Sequence, residues 1–164
     1  MRWIRGLALF AAGSVFGSLL MTPGSAQEKK DTGLRLNHVG IAVSDMQQSL
    51  DFYTKVMGFR VAFSFPSADG KTITTYLQIN RDTFLEVAPA SATVPPGITH
   101  IGIETQDENV TIARLRQAGA NVPDSRVSVT KAVLSNVMAP NNIRLELIEL
   151  TPDSLHKKAE NSWK

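Results

Sequence analysis

His38-Val-Gly-Ile-Ala-Val-Ser-Asp45 returns 62 residues later as His100-Ile-Gly-Ile-Glu-Thr-Gln-Asp107. A second echo follows each copy. Phe84-Leu-Glu86-Val places Glu86 48 residues after His38, and Arg144-Leu-Glu146-Leu places Glu146 46 residues after His100. The repeat preserves two histidines and two glutamates along with the apolar positions. Tandem modules that keep ligand-type side chains at equivalent places point to a metal centre between them, with His38, Glu86, His100 and Glu146 as its candidate ligands.

Reading outward from the first copy, Leu34 to Val43 alternates as a strand. Val39, Ile41 and Val43 fall on one face, and His38, Gly40 and Ala42 on the other. Ser44 with Gln47 spells a capping box for a helix whose stripe is Met46, Leu50, Tyr53 and Met57, stopped at Gly58. Phe59 to Pro66, Lys71 to Ile79 and Thr83 to Ala88 read as strands, with Asp69-Gly70 as a hairpin turn. A Pro- and Gly-containing linker, 89–97, leads into the second module. There Ile98 to Thr105 is a strand, and Asp107 caps a helix carrying Val110 and Ala113, flanked by Ile112 and Leu115 and ended by Gly119. Val122 to Ser128, Thr130 to Met138 and Ile143 to Leu150 complete the strands, the last entered by the turn Ala139-Pro-Asn-Asn142. The expected fold is α+β, two βαβββ modules (34–88 and 98–150) in one domain, 34–150. Residues 151–164 read as a polar tail, with His156 solvated.

Strand alternation puts the four candidate ligands on one face. Their neighbours Val39, Leu85, Val87, Ile101, Leu145 and Leu147 take the face covered by helices. Gly40 and Gly102 lie beside the histidines and leave room for an ion or substrate. Ionised carboxylates on a half-buried sheet need partners. Two imidazoles and two carboxylates suit one divalent first-row ion: nickel, cobalt, zinc, manganese or iron. The imidazoles disfavour calcium, and the lack of soft ligands disfavours copper(I). Taken singly, each residue reads as an ordinary strand residue; it is the doubled set that points to a metal.

The chain begins with Met1-Arg-Trp-Ile-Arg5, then an apolar stretch over 6–21, then small residues to Ala26. That order is a signal peptide over 1–26, followed by a polar linker over 27–33, and implies export to the periplasm or outside. An uncleaved anchor is the competing reading, although the stretch is shorter than the about 20 residues a span needs. Of 17 basic and 15 acidic residues, cleavage removes Arg2 and Arg5, leaving 15 and 15. Nothing in that balance indicates nucleic acid, and no membrane insertion is expected after cleavage. With no cysteine, a thiolate site and a disulfide framework are excluded.

The phrases NHVGIAVSDMQQSLDFYTKVMGF, THIGIE and IRLELIE resemble the vicinal oxygen chelate proteins, the glyoxalase/bleomycin-resistance/dioxygenase superfamily, over roughly residues 34–150. The resemblance implies two βαβββ modules whose mixed sheet curls into a half-open barrel around a metal held by His38, Glu86, His100 and Glu146. A complete set of this kind is similar to glyoxalase I, and the opening to methylmalonyl-CoA epimerase. The implied activity is that of a lyase, isomerase or epimerase on a small carbonyl or vicinal-oxygen substrate. It abstracts a proton next to the carbonyl, through a metal-stabilised enediolate, with Glu146 as principal base, Glu86 as a second catalytic carboxylate, and Phe84 and Arg144 shaping the substrate pocket. The alternatives are an extradiol-type dioxygenase and a non-catalytic, metal-dependent small-molecule (antibiotic) binding protein. Members build the site within one chain or between two, often as homodimers. Ala42 stands where bacterial glyoxalase I carries an arginine for glutathione, and together with export this argues against glutathione or coenzyme A as substrate.

Overall fold

Each module starts with a strand, and the pairing of those two strands joins the halves. In a computed structural model that describes residues 31–66 and 70–164, β1 (Leu34–Val43) runs antiparallel to β5 (Gly97–Thr105). Module 1 continues with α1 (Met46–Asp51), a π-helical turn (Phe52–Val56), β2 (Arg60–Pro66), β3 (Ile73–Asn80) and β4 (Thr83–Pro89). Module 2 continues with α2 (Glu108–Gln117), β6 (Arg126–Val127), β7 (Val133–Ala139) and β8 (Ile143–Glu149), and α3 (Leu155–Asn161) follows. The strand order β2-β3-β4-β1-β5-β8-β7-β6 makes one open, mixed, eight-stranded sheet in an α+β fold. β4 lies parallel to β1 and β8 parallel to β5, while the outer pairs are antiparallel. Gly33–Lys164 form one compact unit, and the proposed signal peptide lies outside the described residues.

The helix-covered face is apolar in both halves. Leu77, Leu85 and Val87 pack with Val39, Ile41, Val43, Met46, Leu50 and Tyr53 under α1. Ile112, Val122 and Leu147 pack with Ile103, Leu115 and Val137 under α2. Both helices start from an aspartate whose side chain accepts the backbone N–H three residues on, Asp45 from Gln48 and Asp107 from Val110. The cap of α1 is therefore Asp45 rather than Ser44, because Asp45 takes the extended conformation and its carboxylate reaches that orphan donor. On α2 the buried residues are Glu108, Thr111 and Ile112, with Leu115 half-buried beside them; Val110 and Ala113 face solvent.

Three further expectations shift. The strand expected over Val122–Ser128 shrinks to Arg126–Val127, and β7 begins only at Val133, because Ser128 to Ala132 closes a tight turn with Lys131 at φ 64. Asn141 and Asn142 also take positive φ, a conformation asparagine tolerates, and turn the chain into β8. The largest difference is at the C-terminus, where 155–161 form a helix rather than a polar tail. Its His156, Ala159 and Glu160 are buried, and Ser154 caps it by accepting from Lys157 N–H. No helix among the described residues is long and apolar enough to cross a membrane.

Candidate metal centre

The β1–β5 register sets the site. His38 pairs with Gly102 and Gly40 with His100, while Gly40 and Gly102 sit beside Glu86 and Glu146 on the parallel neighbours. A Cβ on Gly40 would stand 2.1 Å from the His100 ring, and one on Gly102 2.1 Å from the His38 ring. The glycines thus make room for the opposite module's imidazole, rather than for an ion or substrate.

Three ligand atoms converge. His38 Nε2 lies 2.9 Å from His100 Nε2, and Glu86 Oε2 lies 3.6 and 3.3 Å from those nitrogens. These separations fit a common ion, since two nitrogens about 2.1 Å from a metal at a right angle stand about 3.0 Å apart. Glu146 Oε1 is 3.5 Å from His38 Nε2 but falls outside the set whose ligand atoms all lie within 4.8 Å of one another. All four residues come from one chain, two from each module.

Both histidines are oriented by the residue before them. β1 and β5 each carry a bulge there, at Asn37 and at Thr99, which carries that side chain to its neighbour's imidazole. Asn37 Oδ1 and Thr99 Oγ1 each lie 2.9 Å from Nδ1 of the next residue. The Asn37 amide nitrogen donates to Glu104 Oε2, itself gripped by Arg35, so Oδ1 must face His38 and accept its Nδ1–H. His38 therefore presents a bare Nε2 to the centre, the tautomer a metal requires. Strict alternation sends Asn37 and Thr99 to the far face, so a one-residue bulge hid them. The polar residue before each histidine was the available signal.

Burial sets the charge states. It lowers His38 to about 3, against the pull of Glu86, and so keeps the ring neutral. Burial would raise Glu86, but the hydrogen bond and charge of His100, then His38 and the Tyr76 hydroxyl, outweigh it and hold Glu86 at about 2. Tyr76 donates to Glu86 Oε2 at 2.6 Å. Glu146 is raised, chiefly by burial. Arg144 reaches the centre, its Nη2 donating to His100 Nδ1 at 2.9 Å.

The model of the glyoxalase/bleomycin resistance protein/dioxygenase superfamily matches residues 35–147. The chain belongs to that superfamily. Lactoylglutathione lyase of Escherichia coli O157:H7 is 28% identical over 127 residues, 71% of this chain and 93% of that protein. A lactoylglutathione lyase of Arabidopsis thaliana is 27% identical over 133 residues, covering 76% of this chain and 47% of that protein. Among solved structures, methylmalonyl-CoA epimerase from Mycobacterium tuberculosis superposes with a TM-score of 0.62 at 20% identity, over 71% of this chain and 88% of that one. These proteins are similar to the chain in sequence or fold, and they are lyases and epimerases by name.

Two assignments change beside the superfamily centre. Phe84 is fully buried, packed with Tyr76 and Ala159, so it shapes the floor without being open to a ligand. His156 is buried, not solvated. Its ring lies 6.2 Å from that of His38 and edge-on to Phe63, Tyr76 and Phe84 at 4.9, 4.7 and 5.3 Å. Burial lowers it to about 4. No sequence pattern marked it, because seven helical residues give too few turns for a periodicity.

Proposed function

We propose that this chain is a divalent-metal-dependent lyase or isomerase that moves a proton next to the carbonyl of a small substrate. The observation that carries the reading is the convergence of His38 Nε2, His100 Nε2 and Glu86 Oε2, with a second carboxylate, Glu146, 3.5 Å from His38 Nε2 yet outside that trio. His38, His100 and Glu86 would hold the ion. When bound, a divalent ion supplies a Lewis acid that stabilises negative charge developing on a substrate oxygen.

The chain's own residues supply the remainder. Glu146 is half free of the cluster, and burial favours its protonated form, so it suits a base that takes the proton from carbon and returns it to the neighbouring position. Glu86 is pinned by the Tyr76 hydroxyl and suits a fixed ligand better than a mobile base. For His100 to offer Nε2, its remaining proton must sit on Nδ1, where Thr99 Oγ1 can accept it. That tautomer no longer accepts from Arg144, whose guanidinium is then available to a substrate oxygen. The lyase and epimerase names of the relatives support this class of reaction.

The test is metal analysis of the purified chain, followed by NMR of α-proton exchange in deuterated water over small α-hydroxy and α-oxo carbonyl compounds. Exchange with one class is expected. Glu146→Gln should slow it by roughly 10²–10⁴-fold with metal retained. Glu86→Ala should weaken metal binding, and unchanged affinity would remove Glu86 from the ligand set. Metal uptake without exchange across the panel would overturn the enzyme reading for a binding protein, and oxygen uptake with catechols would replace it with a dioxygenase.

A further inference from the structure

The two halves of the ligand-bearing face are equivalent in backbone and opposite in chemistry. Beside Glu86 stand Tyr76 on β3 and Phe84, two residues before the glutamate; beside Glu146 stand Asn136 on β7 and Arg144, again two residues before. Module 1 therefore offers an aromatic floor and module 2 a polar one.

The aromatic floor is covered by a helix. Helix α3 lays Ala159 on Tyr76 and Phe84, with Ala62, Phe63 and Phe65 around them, and drives His156 into the ring cage beside His38. Neither His156 ring nitrogen has a hydrogen-bond partner among the described residues. An imidazole in that setting gains nothing polar from its burial; it fills space shaped for a flat ring. The helix is tied down at both ends. Leu155 N–H donates to Thr130 O, and Arg60 donates to Ala159 O and Ser162 O while lying under the Trp163 ring. Among the described residues no helix covers the other floor in this way. Met138, which shares its face with Asn136, is 57% exposed, Arg144 is half-buried, and the Asn136 Oδ1 is buried without a partner among the described residues.

We propose that α3 is a specificity-determining plug. His156 occupies the aromatic half of the ligand-bearing face in place of a ligand ring, so a substrate reaches the centre across the polar half, meeting Arg144 with its oxygen-bearing end. The substrate class this selects is compact and oxygen-rich, without a bulky apolar body. The part about substrate rests on the metal-centre reading; the plug itself does not.

His156→Ala in the full chain tests both parts. It should open a hole lined by Phe63, Tyr76 and Phe84, and apolar cavities of this kind take up small rings. Toluene should raise the unfolding temperature of the variant and leave that of the unaltered chain in place, with no metal required. In cobalt-loaded protein, the affinity for benzohydroxamate relative to acetohydroxamate should rise at least about fivefold in the variant. A folded variant indifferent to toluene, or an unaltered chain that binds it equally, overturns the plug. A filled hole with an unchanged hydroxamate ratio overturns its role in specificity. Should the alanine variant not fold, His156→Phe, which conserves the volume, must fold and exclude toluene, and uptake of toluene by it overturns the plug. Failure of both chains to take cobalt would instead sink the metal-centre reading, leaving toluene to decide the plug alone.

Discussion

Module 1 and module 2 share one backbone plan and spend it differently. Each gives a histidine after a bulge, a glycine that clears the other module's imidazole, and a glutamate on the parallel neighbour. Beside those positions the two floors differ. Module 1 packs Phe63, Tyr76 and Phe84 under α3, whereas module 2 sets half-buried Arg144 and Asn136 at the equivalent places. The helix-facing sides diverge too. Met46 follows the cap of α1 and joins the core, but its counterpart Glu108 follows the cap of α2 and is fully buried. What must be symmetric is the set of residues around the centre; what is free to differ is the ground on either side of it.

The sharpest way to break the symmetric part is to fill the glycines. Gly40→Ala and Gly102→Ala each place a methyl group inside the opposite imidazole's space, and each should cost about 1–3 kcal/mol in urea melts and abolish metal uptake. Tolerance of one but not the other would show that the halves of the centre are unequal.

Glu108 sharpens the difference between the helix-facing sides. Burial, then the charges of Glu149 and Glu146, push its carboxyl up to about 7. A raised acid makes its contribution in full below its unfolded value of 4.5 and loses it as pH rises through about 7. Glu108→Gln should therefore gain roughly 2 kcal/mol at pH 8 and nothing near pH 4.5, as read from denaturant midpoints at the two pH values. A gain independent of pH would mean that the charge is not the cause. Glu108→Met, the residue of module 1 at this place, should stabilise at pH 8 in the same way.

The smallest effect tests equivalence again. Asp45→Ala and Asp107→Ala each remove one side-chain acceptor from a helix start and should each cost about 1 kcal/mol. Costs that differ widely would show that one helix leans on its cap more than the other.

The repeat was legible because its period is carried by residue identity. His-x-Gly on a strand and Leu-Glu on its neighbour recur at matching distances, and alternation then assigns His38, His100, Glu86 and Glu146 to one face. Alternation failed where the strand was bulged, and so missed Asn37 and Thr99. It could not reach Tyr76 either, because the β3–β4 register that sets Tyr76 opposite Glu86 belongs to no local pattern. Helix α3, where a polar tail is expected, escapes local pattern for the same reason. A two-turn helix with three buried residues gains its order from the aromatic floor it covers rather than from its own periodicity.

The sequence by itself determined two modules, an α+β fold and four ligand-type side chains on one face, since local periodicity and repetition specify which way a strand's side chains point. Only the tertiary structure decided that the two modules of one chain bring His38, Glu86 and His100 together, that the glycines serve the imidazoles, and that His156 lies under the aromatic side. Those outcomes depend on the β1–β5 register and on contacts between residues far apart in the chain, which no local pattern encodes.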